Sequence, residues 1–298
     1  MATLYTQQGR NVFRTWVLMG SFLVFVILIG WGASYYFNSS AVLYGAVVFA
    51  FFMNIWAYWF SDKVAIRSTG AKPADEQEYR ELHRIVENLA ITAGLPKPRV
   101  YIIEDPAPNA FATGRDKDHA VIAVTTGLLA TMERAELEGV LAHELSHVGN
   151  RDILVMTVVV VLVGFISVLA NIAMHMSAFG SGRDRERNNN PIILIAVIAA
   201  MILAPIAAQL IQLAISRRRE FLADASGALL TRYPEGLASA LQKIGRYSAP
   251  MQRASPTTAH LFISNPFGAR QAGAWMQKLF STHPPVAERV AALQGMNV

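Results

Sequence analysis

Apolar residues concentrate in four long runs that are separated by polar sequence. The runs cover Trp16 to Phe37, Ala41 to Phe60, Ile153 to Phe179 and Pro191 to Ser216. None of them contains a lysine, arginine, aspartate or glutamate. As a helix, each run is long enough to cross the roughly 30 Å of hydrocarbon in a bilayer. The pattern predicts a mainly α-helical integral membrane protein with four transmembrane helices in two hairpins.

The first apolar run is better explained as a membrane span than as a cleaved signal peptide. It is too long for the apolar part of a signal peptide, and a second apolar run follows after only Asn38, Ser39 and Ser40. Tryptophans and tyrosines near the ends of these two runs are typical of a membrane–water interface, although packing alone also explains them. We therefore expect an N-terminal transmembrane hairpin in residues 1–60.

Two large polar blocks flank the second pair of apolar runs. They cover residues 61–152 and 217–298, and the second hairpin lies between them in residues 153–216. Because two crossings separate the blocks, both are expected on the same side of the membrane. The sequence thus predicts that the two blocks are the two parts of one domain outside the bilayer.

The polar blocks carry the patterns of an α+β domain with a small β-sheet. In the first block, helical periodicity covers Asp75 to Ala93, and β-rich runs cover Lys97 to Ile103 and Ala120 to Val124. The second block is predicted to be helical. Its helices are expected over Glu220 to Leu230, Pro234 to Tyr247, Arg270 to Phe280 and Pro285 to Leu293.

The segment from His143 to His147 is an H-E-x-x-H motif on a stretch with the periodicity of an amphipathic helix. Two histidines four residues apart project from nearly the same helix face, and their neutral imidazoles can bind one zinc ion. Glu144 between them is placed to take a proton from water at such a metal. The alternative is a pair of structural histidines on a buried helix.

A catalytic zinc usually has three protein ligands, and the chain offers two routes to the third. One is a histidine six residues after His147, but Ile153 occupies that position. The other is a glutamate from a separate helix, and Glu220 begins the predicted helix after the fourth apolar run. Asp224 shares its helix face and can accept the outer N–H of a zinc-bound histidine. Ordinary acidic residues at a helix start are the alternative interpretation of both.

Composition and charge narrow the class of protein further. The chain is 53% hydrophobic and 16% charged, which is too apolar for a typical soluble protein. It contains no cysteine, which excludes disulfides, cysteine-ligated clusters and thiol catalysis. The net charge is +5, but no basic run is interleaved with aromatic residues, so no nucleic-acid partner is expected.

Lysines and arginines near the span ends favour a cytoplasmic location for the polar blocks. Several flank the spans on the side of the blocks, and Asn38 to Ser40 carries none on the other side. They are Arg10, Arg14, Lys63, Arg67, Arg151 and Arg217 to Arg219. The loop from Gly180 to Asn190 opposes this orientation, because it contains three arginines.

These motifs resemble those of the HtpX family of membrane-embedded zinc metalloproteases, which are of the gluzincin type and related to the CaaX prenyl proteases. The resemblance is carried by H-E-L-S-H with the V-G-N-R-D that follows it, by E-F-L-A-D at residues 220–224 and by the order of the apolar runs. It implies a zincin-like α+β protease domain with one zinc ion per chain. The implied zinc ligands are His143, His147 and Glu220, and the implied catalytic base is Glu144.

Two shorter motifs also resemble the family. Asn109, Ala110 and Phe111 precede the H-E-x-x-H helix and suggest an edge strand that pairs with an extended substrate, with Asn109 holding a peptide carbonyl. A simple turn asparagine is the alternative. His283 stands before Pro284 and is a candidate catalytic residue that stabilises the oxyanion, or else a structural histidine at a helix start.

Taken together with this resemblance, the sequence predicts a zinc-dependent endopeptidase, and the resemblance implies the bacterial inner membrane as its location. Its expected substrates are membrane proteins or unfolded polypeptides that leave the bilayer at the cytoplasmic surface, and the resemblance implies quality control of misfolded membrane proteins. One alternative is a CaaX-type prenyl-peptide protease, although those relatives have more spans. Another is a membrane scaffold or transporter with a structural zinc, but the spans lack the charges that transport requires.

Overall fold

Two long helices form the N-terminal hairpin. The computed structural model describes residues 4–36, 38–179, 217–268 and 284–296, and it opens with α1 (Leu4–Tyr36) and α2 (Ser40–Thr69). The two helices approach closely at Gly30, since a Cβ atom added there would overlap the Cβ of Ala46. Both helices contain segments that are long and apolar enough to cross a membrane. The structure therefore has two candidate membrane spans where the first hairpin is predicted.

Large apolar side chains project outward from the hairpin. Trp31 is 62% exposed and Phe52 is 64% exposed, and most of the other exposed large apolar residues also lie on α1 and α2. Contiguous apolar surface of this kind does not face water in a soluble protein. The hairpin is thus built to contact lipid.

The second helix is longer than the sequence predicts. It does not end with the apolar run at Phe60 but continues to Thr69, where Gly70 adopts a left-handed conformation with φ of 72°. Ser61 and Ala65 are buried, since this extension packs against the domain. The predicted boundary after residue 60 therefore falls inside a continuous helix that leads from the apolar run into the domain.

A four-stranded sheet forms one layer of the domain. In chain order its first half contains β1 (Lys72–Pro73), α3 (Arg80–Ala93), β2 (Arg99–Ile103), β3 (Ala110–Thr113), β4 (Val121–Thr125) and α4 (Thr126–Thr131). The strand order is β1-β2-β4-β3, with β2 and β4 parallel and the outer pairs antiparallel. β3 therefore lies at one edge of the sheet. The sequence predicts β2 and β4 within two residues and misses the two-residue β1.

The central helix of the domain is α5 (Arg134–Gly149), which carries the H-E-x-x-H motif. It packs against α3, β3, α7 (Arg217–Thr231) and α8 (Pro234–Arg246). A last helix, α9 (Val286–Gln294), covers α7 and α8. Apolar residues from the sheet and these helices form one core, so the two polar blocks fold together.

The third apolar run forms α6 (Asp152–Phe179), which follows α5 after a sharp bend of 84°. Among the described residues, the hairpin helices are two candidate spans, and α5 with residues 152–167 of α6 is a third only if the bent pair is one span. The first half of α6 is buried against α1 and α2. The fourth predicted run, Pro191 to Ser216, and the predicted helix from Arg270 lie outside the described residues.

Glu136 fixes α5 against α8 through its carboxylate. Its two oxygens lie 2.6 Å from the ammonium of Lys243 and 2.6 Å from the hydroxyl of Ser239, and the backbone N–H of Glu133 also donates to it at 2.8 Å. Burial raises the pKa of Glu136, but the Lys243 and Ser239 contacts lower it more, so the net value lies below 4.5. The ionised form is therefore the one that stabilises the fold.

We expect Glu136→Gln to lower stability at neutral pH by about 1–3 kcal/mol, because a buried charge-assisted contact is lost. Since the folded-state pKa is depressed, the contribution is complete above the unfolded-state value and disappears as pH falls through the folded-state value. Thermal unfolding from pH 3 to 8 checks this, with Glu138→Gln on the more exposed face of α5 as control. A deficit that is the same at every pH would contradict the assignment.

Candidate metal centre

The two histidines of the motif meet on the buried face of α5. His143 and His147 are one helical turn apart, and their Nε2 atoms are 3.2 Å from each other. Both side chains are almost completely shielded from solvent. Their ring planes are perpendicular, and their Nε2 atoms lie close enough together to share one metal position.

Glu220 on α7 brings the third donor to this position. Its Oε2 is 3.7 Å from His143 Nε2, and its Oε1 is 3.6 Å from His147 Nε2. The three donor atoms all lie within 4.8 Å of one another. Two imidazoles and one carboxylate are a donor set of catalytic zinc sites, which keep a further position open. The residues therefore fit a zinc ion.

Glycine at position 227 allows α7 to approach α5 this closely. Glu220, Asp224 and Gly227 occupy successive turns of the same face of α7. A Cβ atom at Gly227 would lie 2.9 Å from the backbone nitrogen of His143, which is closer than side chains tolerate. Contact between the two helix backbones thus sets the depth at which Glu220 faces the histidines.

Asp224 and Arg289 hold the ring of His143. Asp224 Oδ1 is 2.9 Å from His143 Nδ1 and leaves Nε2 directed at the shared position. Arg289 on α9 is 1% exposed and donates to both oxygens of Asp224, at 2.6 and 2.8 Å. Burial raises the pKa of Asp224, but these contacts outweigh it and lower the pKa to about 2. Asp224 is therefore an anion that can orient the ring.

His147 has its own carboxylate partner in Asp152. The Oδ2 atom of Asp152, at the first residue of α6, is 3.1 Å from His147 Nδ1. Burial lowers the pKa of His147, but Asp152 and the charge of Glu220 raise it more, to about 9. For His143, in contrast, burial dominates and lowers the pKa to about 4. Each histidine thus has a carboxylate at Nδ1, the arrangement that fixes ring orientation in metal sites.

Glu144 lies between the two histidines in the sequence of α5, and its side chain is buried away from solvent. It is 2% exposed, and burial raises its pKa to about 7 even though His147 and a hydrogen bond from the Ala112 backbone N–H lower it. A carboxyl group with a pKa near neutrality exchanges protons readily at physiological pH. The site therefore combines three metal donors with a group suited to proton transfer.

The edge strand β3 borders the site, but part of its edge is covered. Ile263 donates its backbone N–H to the Ala110 carbonyl at 2.9 Å. The side chain of Asn109 accepts from the Ser264 backbone N–H and donates to the Ser264 carbonyl. Phe111 is buried and packs edge-on against Phe262. The Asn109 amide is thus engaged by the loop from Met251 to Gly268, so binding a substrate carbonyl would require these contacts to break.

The structure places some further residues of interest near the site, and others lie elsewhere. His283 lies outside the described residues. Arg289 is paired with Asp224, a partner that no local sequence pattern identifies. The sequence does not assign the contact between Asp152 and His147, although the position of Asp152 five residues after His147 is compatible with it. His260 is buried beside the Met156 carbonyl at 2.8 Å and belongs to the core next to α6.

Comparisons with known proteins agree with this geometry. The model of peptidase family M48 matches residues 76–297. A protein described as "Protease HtpX homolog" from Thermoanaerobacter pseudethanolicus is 48% identical over 303 residues, which cover 99% of each chain. A protein of the same description from Pyrococcus furiosus is 48% identical over 283 residues, which cover 94% of this chain and 95% of the relative.

A solved structure shares the fold. The crystal structure of S. mikatae Ste24p aligns with a TM-score of 0.51 and 20% sequence identity, over 97% of this chain and 66% of that chain. At this identity the likeness shows the fold alone. The family model covers most of the chain, and relatives with up to 48% sequence identity align with almost all of it. The chain therefore belongs to peptidase family M48, as a membrane metalloprotease of the HtpX type.

Proposed function

We propose that this protein is a zinc-dependent endopeptidase of the bacterial inner membrane that cleaves misfolded or damaged membrane proteins at the cytoplasmic surface. The main observation behind this proposal is that His143, His147 and Glu220 surround one buried position, with the buried carboxyl group of Glu144 close to His147 and Glu220. Glu144 and the histidines lie on α5, which turns directly into the apolar helix α6. The proposed catalytic site therefore lies close to the point at which this chain is expected to enter the membrane.

Each residue near the site has a defined task in this proposal. His143, His147 and Glu220 hold the zinc ion. When bound, zinc would act as a Lewis acid that polarises the scissile carbonyl and lowers the pKa of the attacking water to about 7. Glu144 accepts the proton of the attacking water and delivers it to the nitrogen of the leaving amine. His283 remains the predicted donor to the oxyanion.

The carboxylates behind the histidines keep the donors in place. Asp224 and Asp152 bind the Nδ1 sides of His143 and His147, so that only the Nε2 atoms are available to the metal. Arg289 keeps Asp224 ionised and in one orientation. Burial of the whole group excludes bulk water, which strengthens the interactions that the site makes with developing charge.

We also propose that an extended substrate pairs with the edge of β3 near Asn109, Ala110 and Phe111. The edge position of β3 supports this proposal, as does the closeness of β3 to Glu144, which already accepts a hydrogen bond from the Ala112 N–H. Main-chain pairing at a sheet edge is a general mode of peptide recognition. Since the loop at Ile263 and Ser264 covers part of this edge, the substrate strand either displaces the loop contacts or pairs beyond them.

Peptide analogues test the strand-pairing proposal. Methylation of a substrate backbone nitrogen removes one ladder hydrogen bond, so we expect kcat/KM to fall at alternate positions along the peptide. Alternation follows because successive residues of a strand direct their N–H groups to opposite sides. Equal kcat/KM for every methylated analogue would contradict pairing with β3.

The choice of substrate is tested with purified full-length protein in detergent. An unfolded protein, a destabilised membrane protein and a prenylated CaaX peptide are supplied separately, and products are identified by mass spectrometry. The proposal expects internal cleavage of the membrane protein. Cleavage confined to the three C-terminal residues of the prenylated peptide would instead identify a CaaX-type protease and overturn the proposed substrate class.

The proposed orientation is tested by reporter fusions. Arginines and lysines at the domain side of the hairpin, including Arg14, Lys63 and Arg67, favour the cytoplasm for the domain. Fusions at Gly70 and at the C-terminus should both report a cytoplasmic location, and a fusion at Ser39 an external one. An external location at Gly70 would refute the orientation.

A further inference from the structure

A side chain of the N-terminal membrane helix reaches the surroundings of the metal centre. Asn11 on α1 is 1% exposed and donates its amide hydrogen to Asp152 Oδ1 at 2.6 Å. The other oxygen of Asp152 faces His147 Nδ1 at 3.1 Å. A chain of two buried contacts therefore connects α1 with a predicted zinc ligand that lies more than 130 residues away in sequence.

Asn11 also holds the backbone at the corner between α5 and α6. Its amide nitrogen is 3.0 Å from the carbonyl oxygen of Asn150, and the two helices meet here at 84°. The corner is conformationally unfavourable, because Arg151 has a φ of 57° without being glycine. One side chain thus fixes both the corner that ends the metal-binding helix and the carboxylate that orients His147.

The neighbouring helices fix the position of Asn11. Leu18, Met19 and Phe22 of α1 pack against a row of apolar residues on α6, from Leu154 to Ile166. Next to Asp152, Arg219 places its Nε 3.7 Å from Oδ1, too far for a good hydrogen bond. Asn11 therefore supplies the short hydrogen bond to Oδ1, and His147 takes the other oxygen.

We propose that Asn11 is a positioning residue for His147, so that the N-terminal hairpin is a component of the metal centre as well as a membrane anchor. The inference rests on the proposed function, in which His147 binds zinc. Removal of the Asn11 amide leaves Asp152 free to turn toward Arg219. His147 then loses its fixed ring orientation, and zinc affinity falls without the loss of any metal ligand.

The experiment measures zinc affinity of the full-length protein in detergent by competition with a chromophoric chelator. We expect Asn11→Ala to bind zinc about tenfold more weakly, the lower end of the range for residues that act behind a metal ligand. Asn11→Leu has nearly the same size without the donors and should weaken binding at least as much. If Asn11→Ala does not fold, this second variant tests whether Asn11 positions His147.

Thr15→Val is the matched control. Thr15 lies one turn further along α1, is equally buried, and donates only to the backbone carbonyl of Asn11. This variant should retain the zinc affinity of the wild type. An equal loss in Thr15→Val would show that disturbance of α1 in general lowers affinity, which would overturn a specific role for Asn11.

A double-mutant cycle separates positioning from general stabilisation. In protein that already carries Asp152→Ala, Asn11→Ala should cause a much smaller loss of zinc affinity than in the wild type, because its carboxylate partner is gone and only the contact with the Asn150 carbonyl remains. Additive losses would overturn the proposal, as would wild-type affinity in both Asn11 variants. If the wild type itself binds no zinc, the proposed function fails; if it binds zinc and the Asn11 variants bind equally well, only this inference fails.

Discussion

Replacement of Glu144 with glutamine is expected to abolish peptide hydrolysis and to leave zinc binding intact. The side chain keeps its shape but can no longer accept a proton at neutral pH. Since general base catalysis contributes about 10²–10⁴-fold to a reaction rate, kcat should fall by at least that factor. The measurement is cleavage of an unfolded protein by the purified variant, together with its zinc content.

Ser146→Ala is the matched control for this substitution. Ser146 lies on the same helix and donates only to the Ala142 carbonyl, so its removal should leave both hydrolysis and zinc unchanged. Hydrolysis by Glu144→Gln at the wild-type rate would show that another group moves the proton. Loss of zinc from Glu144→Gln would mean that Glu144 shapes the metal site.

Replacement of Glu220 with glutamine is expected to produce the largest loss of zinc affinity of any substitution on α7. Glu220 supplies the only carboxylate oxygens facing both Nε2 atoms among the described residues, at 3.6 and 3.7 Å. Asp224→Asn keeps all three ligands and should weaken affinity less, by about 10–100-fold. Competition with a chelator measures both variants on one scale.

An acid remote from the site controls for the change of charge. Glu235 in the first turn of α8 is exposed, so Glu235→Gln should bind zinc as the wild type does. The ligand set proposed here predicts that Glu220→Gln binds more weakly than Asp224→Asn, and Asp224→Asn more weakly than Glu235→Gln. Equal zinc affinity in Glu220→Gln and wild type would remove Glu220 from the ligand set.

The features that sequence predicts well are those encoded by local periodicity. The apolar runs at α1 and α2 and the H-E-x-x-H spacing depend on residues within a few turns of one another. Glu220 is a different case. Its proximity to His143 is predicted from the membrane topology and from the need of a catalytic zinc for a third protein ligand. The structure brings these residues together, with Gly227 as the local reason for the close approach.

Features that depend on packing between distant segments were not predictable in the same way. The apolar run of α2 ends at Phe60, yet the helix continues because the domain buries its next turns. The pairing of Arg289 with Asp224 depends on where α9 packs, which no local pattern in the sequence encodes. No local sequence pattern marks Asn11 as part of the site, because its hydrogen bond to Asp152 joins segments that are far apart in the sequence.

Zinc titration of chelator-treated protein tests the central claim most directly. The purified full-length protein is stripped of metal, and cleavage of an unfolded protein is followed as zinc is added back. We predict no cleavage without zinc and a rate that rises until one zinc ion is bound per chain, in the wild type but not in Glu144→Gln. Full cleavage by wild-type protein from which zinc has been removed would contradict the account.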